Sequence, residues 1–311
     1  MDPRSEKAHT SGGGQMRARW LPPEFDPGFY RKCKPYLADA GDDVLEQEFR
    51  NYGVASGTPG SFLCYRENII KFLNSAADSI LEIGPGGHPD FRGSKIKYLD
   101  ILTTAEMRAR YGGEGNPPEI DYTVEELAHQ TIPLRFDAVY SAHNFEHQVN
   151  PLLHIASVSH VLNPNGLFVA VIPDRNFTFD YFRLPSTLTD ILTAPCSQTE
   201  HGAKARLERF NRTHNNCFAH WFGNHGEPEG TDEEILAAFT EETDAAFLSL
   251  HAGVYEPESF KRIFGLLSRK GLLKLELLRV YNTPFLRNEF VTVFRKSGTT
   301  QATPNEGAGD E

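Results

Sequence analysis

The sequence predicts an α/β protein built on a doubly wound, mostly parallel sheet of seven strands. Short apolar runs alternate with segments of helical spacing, which is the pattern of a parallel sheet that carries helices on both faces. The clearest run, GLFVAVIP, is opened by Asn165-Gly166 and stopped by Pro173. The seven predicted strands are 79–84, 95–102, 120–124, 136–141, 166–173, 272–281 and 289–296.

Helical segments lie before and between these runs. Apolar residues recur at helical spacing in 62–75 and 151–162, and the first of these precedes the first strand. Pro257 is suited to the first turn of a helix and Gly271 to its end, which predicts a helix over 257–269. Shorter or weaker helical patterns cover 40–51 and 231–250.

The chain is predicted to form one domain over residues 19–296. The ends, 1–18 and 297–311, are rich in Gly, Ser, Thr and charge, and we expect them to be disordered. Residues 19–75 form an N-terminal cap before the first strand. Residues 176–252 break the strand–helix alternation, and we expect them to form a lid above the ligand-binding edge of the sheet.

Composition excludes several classes of partner. With 31 basic and 42 acidic side chains, the formal net charge is −11, and no basic stripe favours nucleic acid. No apolar run approaches membrane-spanning length, and the N-terminus lacks a secretory signal. The four cysteines form no CxxC pair. We therefore expect a cytoplasmic protein with reduced thiols and no membrane partner; its oligomeric state is left open.

A glycine-rich turn follows the first predicted strand, in the stretch LEIGPGGHP. Gly84, Pro85 and Gly86 would let the backbone approach a ligand closely. By itself this pattern is weak evidence for a ligand, because a tight turn that binds nothing has the same residues.

Two carboxylates favour a ligand. Asp100 ends the second strand, where an acid can accept hydrogen bonds from ribose hydroxyls. Glu82 lies two residues before the turn, and its charge suits a cationic group better than a pyrophosphate. Pro89 stands where the dinucleotide fingerprint has Gly or Ala, and the short segment before Asp100 leaves little room for a phosphate-binding helix.

These features, together with a long block after the fourth strand, resemble the class I S-adenosylmethionine-dependent methyltransferases. The block is FDAVYSAHNFEHQVNPLLHIASVSHVLNPNGLFVAVIPD, over 136–174. The resemblance covers about 75–182. The segment IPDRNFTFDYFR is similar to a subgroup associated with polysaccharide or glycoconjugate biosynthesis.

The resemblance implies a Rossmann-like methyltransferase fold and S-adenosylmethionine as cofactor. The residues it places around the cofactor are Glu82, Gly84, Pro85, Gly86, Asp100, Ile101, Ser141 and His143. Glu82 and the glycines would surround the amino-acid part, Asp100 the ribose and Ile101 the adenine. The chain departs from the family after the first strand, where we expect only a short or irregular helix.

Base candidates follow the fourth and fifth strands. His147 and Asp174 are the predicted catalytic residues, although His147 could serve only to tie its loop together. Asp180 and Arg183 could contact a polar acceptor. In the segment HNFEH the Glu does not directly follow the first His, as it does in the zinc motif HExxH. The spacing of the histidines in the insertion matches no standard metal site. The sequence therefore predicts no metal.

The leading hypothesis is methyl transfer from S-adenosylmethionine to a small-molecule or carbohydrate-like acceptor, at oxygen. Two alternatives remain open. One is a nicotinamide-dependent oxidoreductase, and the other is a methyltransferase-like fold that binds without catalysis.

Overall fold

The computed structural model describes residues 21–113, 115–123, 131–195, 209–240 and 251–298. The predicted disordered ends, 1–18 and 297–311, lie outside these ranges except for residues 297 and 298. The later part of the predicted helix over 231–250 also lies outside them.

In the part of the chain that the structure describes, seven strands form one sheet in the order β3-β2-β1-β4-β5-β7-β6. The pairs among β1 to β5 are parallel, whereas β7 runs antiparallel to both β5 and β6. The mostly parallel, seven-stranded prediction is confirmed. The strands are β1 Ile80–Ile83, β2 Ile96–Asp100, β3 Tyr122–Thr123, β4 Phe136–Ala142, β5 Leu162–Pro173, β6 Glu276–Tyr281 and β7 Glu289–Arg295.

Several helices begin at a residue whose side chain caps them. Asn150 accepts from the backbone N of Leu153 at 3.0 Å and Pro151 follows it, so α5 starts at the predicted residue. Thr103 and Glu106 form a capping box at the start of α4. The helices are α1 Pro27–Cys33, α2 Asp42–Glu48, α3 Arg66–Ala76, α4 Thr104–Tyr111, α5 Pro151–Val161, α6 Leu188–Leu192, α7 Cys217–Trp221, α8 Asp232–Thr240 and α9 Pro257–Arg269.

Helices cover both faces of the sheet. Side chains alternate along each strand, so neighbouring residues such as Ile80 and Leu81 enter different cores. Leu81 lies in the core that also holds the apolar residues of α5 and α9. Ile80 lies in the core formed with α3 and with Met107 of α4. The sheet is therefore doubly wound, as predicted.

The strand order reverses beside β1. This strand pairs with β2 on one side and with β4 on the other, so Ile83 lies opposite both Leu99 and Ser141. In open α/β sheets the crevice at the carboxyl ends of such strands is the usual ligand site. The glycine turn and Asp100 both lie at this edge.

No helix connects β1 to β2, so the expected short or irregular helix is wrong. Residues 84–95 form turns and bends. Pro85 and Pro89 have no N–H to donate to a helix, and Gly84 and Gly86 have φ values of +67° and +56°. The connection instead closes on the side chain of Glu82, as described below.

The segment after β5 packs beside the N-terminal cap, because a Cβ added at Gly57 would lie 2.5 Å from the Trp221 ring. The Phe177 and Trp221 rings stack with centroids 3.7 Å apart, and Trp221 Nε1 donates to the carbonyl of Arg287 at 2.8 Å. Phe285 donates its backbone N–H to the carbonyl of Gly57 at 2.7 Å. Within the described ranges, no helix combines the length and apolar character that crossing a bilayer requires.

Candidate active site

The glycine turn is held from beneath by Glu82. The two carboxylate oxygens of this buried residue accept the backbone N–H groups of Asp90 at 2.8 Å and Phe91 at 3.2 Å. Burial raises the pKa of Glu82 to about 7, and the two hydrogen bonds oppose that rise only in part. Glu82 therefore shapes the loop that the sequence predicts to bind a cofactor.

The turn itself is open on one side. A Cβ added at Gly86 would meet nothing within 4 Å, whereas one added at Gly84 would lie 2.8 Å from Nδ2 of Asn144. Gly84 thus packs against the loop after β4, and Gly86 leaves space for a ligand.

Asp100 lies beside the turn at the end of β2. Gly84 donates its N–H to the carbonyl of Leu99 at 2.9 Å, which fixes the turn next to this strand end. Asp100 Oδ1 accepts from the backbone N of Leu102 at 2.9 Å, and burial raises the pKa of the carboxyl. Ile101 is 44% exposed. Its apolar side chain is available to cover a ligand ring.

At the end of β4, His143 exposes part of its side chain at the crevice, whereas the side chain of Ser141 is buried. Ser141 is fully buried and lies below the crevice surface. His143 has φ +48°, a conformation uncommon for residues other than glycine, and its side chain is partly exposed. The backbone turn at His143 directs the chain from β4 into the loop that carries Glu146.

A charged network anchors His143. Glu289, at the start of β7, accepts from His143 Nε2 at 2.9 Å and from Arg66 Nε at 3.0 Å. Burial acts against ionisation of Glu289, but these hydrogen bonds prevail and lower its pKa to about 2. Burial likewise lowers the pKa of His143, and the Glu289 hydrogen bond reverses this to a net rise.

A cavity of about 640 Å³ opens beside His143. It lies between the loop after β4 and the segment after β5. Its wall combines aromatic, imidazole, amide and charged side chains, among them Phe177, Phe179, Arg212 and Asn215. A larger cleft, about 930 Å³, lies between the N-terminal segment and α9, away from the carboxyl edge of the sheet. Its position at the carboxyl edge of the sheet favours the smaller cavity as the candidate ligand site.

Three side chains converge in the wall of the smaller cavity: Glu146, His147 and His251. His147 Nε2 and His251 Nε2 each lie 3.8 Å from Glu146 Oε1. The two rings pack edge to face with centroids 4.8 Å apart. We call this group the histidine–glutamate triad.

Asp180 supports the triad from behind. Its Oδ2 lies 2.5 Å from Nδ1 of His251, and its Oδ1 accepts from Arg183 Nη1 at 2.9 Å. Burial opposes ionisation of Asp180, yet the His251 hydrogen bond and the nearby cations lower its pKa to about 2. Arg183 also donates to the carbonyl of His251 at 2.9 Å. The predicted contact of Asp180 and Arg183 with an acceptor has no support here, because both are buried in this network.

Asp174 is built into the turn after β5. Its Oδ1 accepts from the backbone N of Asn176 at 3.0 Å, and its Oδ2 accepts from Thr283 Oγ1 at 2.7 Å. Burial raises its pKa to about 6. Asp174 is 2% exposed and is not among the residues that line the cavity. Of the two predicted bases, only His147 faces the cavity.

The other described histidines of the insertion have different contacts and do not form one cluster. His220 Nδ1 and His225 Nδ1 lie 3.0 Å apart, and the His225 ring stacks on Tyr181. His214 is exposed and lies 3.4 Å from Glu229. His201 lies outside the described residues. Of the described members of this group, only His251 joins the triad.

The sequence did not predict the roles of Glu289 and Arg66 or the pairing of Glu146 with His251. Glu289 carries a signal that could have been used, because it opens the apolar run EFVTVF and lies at a strand end. His251 carries no comparable signal. It reaches Glu146 only through the folded path of the insertion.

Comparison with known proteins gives a likeness of fold only. No family model matches the sequence, and no curated protein matches it. The crystal structure of the plantazolicin methyltransferase BamL in complex with a triazolic desmethylPZN analog and SAH is 11% identical; the match covers 88% of this chain and 97% of that one, with a TM-score of 0.39. A S-adenosylmethionine-dependent methyltransferase from Clostridium acetobutylicum is 12% identical over 86% of this chain and 100% of that one, with a TM-score of 0.40.

A third solved structure carries a different description. A putative Zn-dependent alcohol dehydrogenase from Rhodobacter sphaeroides is 12% identical over 77% of this chain and 91% of that one, with a TM-score of 0.43. At such low identity and TM-score, these likenesses concern the arrangement of sheet and helices. They do not decide the ligand or the reaction.

Proposed function

We propose that the protein is a class I S-adenosylmethionine-dependent methyltransferase. One observation carries this proposal: the glycine turn at the switch point of the sheet has no helix behind it and has the carboxylate of Glu82 beneath it. A cationic nucleoside fits this setting, and Asp100 lies beside the turn to accept ribose hydroxyls.

The same observation counts against a dinucleotide. A pyrophosphate is normally held by the N–H groups and positive dipole end of the helix that follows such a turn. Residues 84–95 contain no helix, and the N–H groups of Asp90 and Phe91 are taken by Glu82. The nicotinamide-dependent alternative therefore lacks its anion-binding element.

The residues present fit S-adenosylmethionine. Gly86 leaves open space at the turn, Asp100 lies next to it and Ile101 exposes an apolar side chain. We assign the turn of Gly84, Pro85 and Gly86 to the amino-acid part of the cofactor. Glu82 would act through the shape of the loop, because its oxygens are already occupied by the loop N–H groups, and a bound cation would favour its ionised form.

The acceptor would occupy the cavity beside His143. We propose a small-molecule or sugar-like acceptor methylated at oxygen, because the wall offers aromatic faces together with amide, imidazole and guanidinium groups. When bound, the cofactor supplies an electrophilic methyl carbon on a sulfonium, whose electron pair stays on sulfur after transfer. The contribution of the chain is to hold the acceptor oxygen in line.

Methyl transfer can be tested with Asp100→Ala. The wild-type protein is incubated with S-adenosylmethionine carrying an isotopically labelled methyl group and with a pool of small polyols and sugars, and products are read by mass spectrometry. We expect label in one acceptor class. Loss of hydrogen bonds to a charged acceptor costs about 1.5–3 kcal/mol, so Asp100→Ala should raise the KM for the cofactor about 10- to 100-fold.

Asp39→Ala is the matched control, because Asp39 is exposed and lies in the N-terminal cap. It should leave KM unchanged. Oxidation of an acceptor with NAD, without any labelled product, would contradict the proposed function. An Asp100→Ala protein with wild-type KM would contradict the role of Asp100.

A further inference from the structure

Glu146 is a buried carboxylate without a hydrogen-bond donor. The residue is fully buried, and neither Oε1 nor Oε2 has a hydrogen-bond partner within the described part of the chain. Among the described residues, its nearest cationic or potentially cationic atoms are imidazole nitrogens at 3.7 to 3.8 Å, too far for a hydrogen bond. Such a group is costly to bury unless a charge compensates it. The Glu146 carboxylate therefore needs a compensating positive charge.

His251 is oriented toward Glu146 by its other nitrogen. The contact of Nδ1 with Asp180 assigns the ring proton to Nδ1 and points the Nε2 lone pair at Glu146 Oε1. A carboxylate behind a histidine in this way is the usual arrangement around metal-ligating imidazoles. Arg183 fixes the carboxylate in turn, at 2.9 Å.

His147 completes the convergence. One potential metal-ligand atom from each of Glu146, His147 and His251 lies within 4.8 Å of the other two. Ligands bound at about 2.0–2.2 Å from one ion lie roughly 3.0–3.5 Å from each other. Closing the widest of these gaps, up to 4.8 Å, to that separation requires each of the two side chains to shift by roughly 0.7 Å.

We propose that the histidine–glutamate triad binds a divalent transition-metal ion. Two imidazoles and one carboxylate suit Zn²⁺, Mn²⁺ or Fe²⁺ and are poor ligands for Mg²⁺, which prefers oxygen. The ion would neutralise the Glu146 charge. This assignment departs from the sequence prediction of no metal, which rested on the absence of a linear motif.

The triad borders the proposed acceptor cavity, so three protein ligands leave open positions on the ion toward that cavity. For its role, the inference rests on the proposed function. An acceptor hydroxyl bound to the ion has a lowered pKa and releases its proton to solvent. The oxygen then forms a bond to the methyl carbon as the carbon–sulfur bond breaks, and sulfur keeps the electron pair. His147 acts as a ligand in this scheme rather than as the base.

Ion binding is tested on the untagged, full-length protein after treatment with a chelator. Zn²⁺ uptake is measured by equilibrium dialysis with elemental analysis, and Co²⁺ serves as a spectroscopic probe of imidazole ligation. We expect one ion per chain. Glu146→Gln and His251→Ala should each weaken binding at least about tenfold, and Asp180→Asn, which removes the negative charge behind His251, about 10- to 100-fold.

His160→Ala is the control, because His160 is exposed on α5. It should bind as the wild type does. Circular dichroism and thermal melting without metal check that each variant folds; added Zn²⁺ should raise the Tm of the wild type and of His160→Ala but not of Glu146→Gln. Wild-type uptake well below one ion per chain, or equal affinity in folded Glu146→Gln, would overturn the inference.

A parallel titration with S-adenosylhomocysteine separates the two proposals. Stoichiometric ion binding without nucleoside binding would support the triad and contradict the methyltransferase assignment. Nucleoside binding without ion binding would do the reverse.

Discussion

Glu82 is a buried carboxylate whose role is to organise a loop. It lies in an apolar strand and takes two backbone N–H groups that would otherwise be unsatisfied in a connection without a helix. Burial disfavours its charged form and raises its pKa from 4.5 to about 7. The residue therefore links the shape of the turn to pH.

Glu82→Gln tests this link through the free energy of unfolding. The folded-state pKa lies above the unfolded one, so the neutral side chain stabilises the fold fully below about pH 4.5, and this stabilisation is lost as pH rises through about 7. Relative to Glu82→Gln, the wild type should lose up to about 3 kcal/mol between pH 5 and pH 8 by the usual conversion of a pKa shift. Urea unfolding of both proteins at several pH values measures the difference. A difference independent of pH would show that Glu82 has an ordinary pKa.

Individual site residues differ in how far sequence could predict them. Glu82 and Asp100 are visible because each interrupts or ends an apolar strand near a glycine turn. Asp174 had the same signal, but its oxygens are used by Thr283 and Asn176. The His251–Glu146 contact joins distant parts of the chain and depends on how the insertion folds. No local pattern encodes such a contact.

At the scale of elements, the glycine turn contains two glycines, Gly84 and Gly86, whose surroundings differ. Gly84 and Gly86 both have positive φ. Only Gly84 is packed against a neighbour, the Asn144 side chain. The backbone conformation is shared, while the surroundings differ.

This difference predicts distinct effects for two alanine variants. Positive φ costs roughly 1–2 kcal/mol for a residue with a Cβ, so both variants should be destabilised by about that amount. Gly84→Ala should lose more stability than Gly86→Ala, because its added Cβ would lie 2.8 Å from Asn144 Nδ2. Gly86→Ala should lose nucleoside affinity beyond its loss of stability, because its Cβ enters the open side of the turn. Thermal unfolding measures the loss of stability, and nucleoside titration measures the loss of affinity. A Gly86→Ala protein less stable than Gly84→Ala would show that the Asn144 side chain moves aside at no cost.

The predicted elements agree best where caps or prolines mark an end. The helix Pro257–Arg269 matches its prediction at both ends, and β5 ends at Pro173 as expected. The connection after β1 could not be predicted from periodicity, because whether it forms a helix depends on the acceptor that Glu82 provides. The antiparallel direction of β7 is likewise set by pairing with β5 and β6 rather than by its own sequence.

At the scale of the whole molecule, two sites meet along one edge of the sheet. The glycine turn and Asp100 lie at the ends of β1 and β2, and the cavity with the histidine–glutamate triad lies beyond β4 and β5. His143 borders that cavity and is tied through Glu289 to Arg66 of α3. A donor at the turn and an acceptor in the cavity would therefore approach each other across the end of β4. Such an arrangement suits a transfer between two bound molecules.

We expect the crevice at the ends of β1 and β2 to bind a cationic nucleoside rather than a dinucleotide. Titration calorimetry of the wild-type protein with S-adenosylmethionine, S-adenosylhomocysteine and NAD distinguishes these two ligand classes. We predict one binding site per chain for the first two ligands and no heat of binding for NAD. Saturable binding of NAD, with neither nucleoside bound, would contradict the claim.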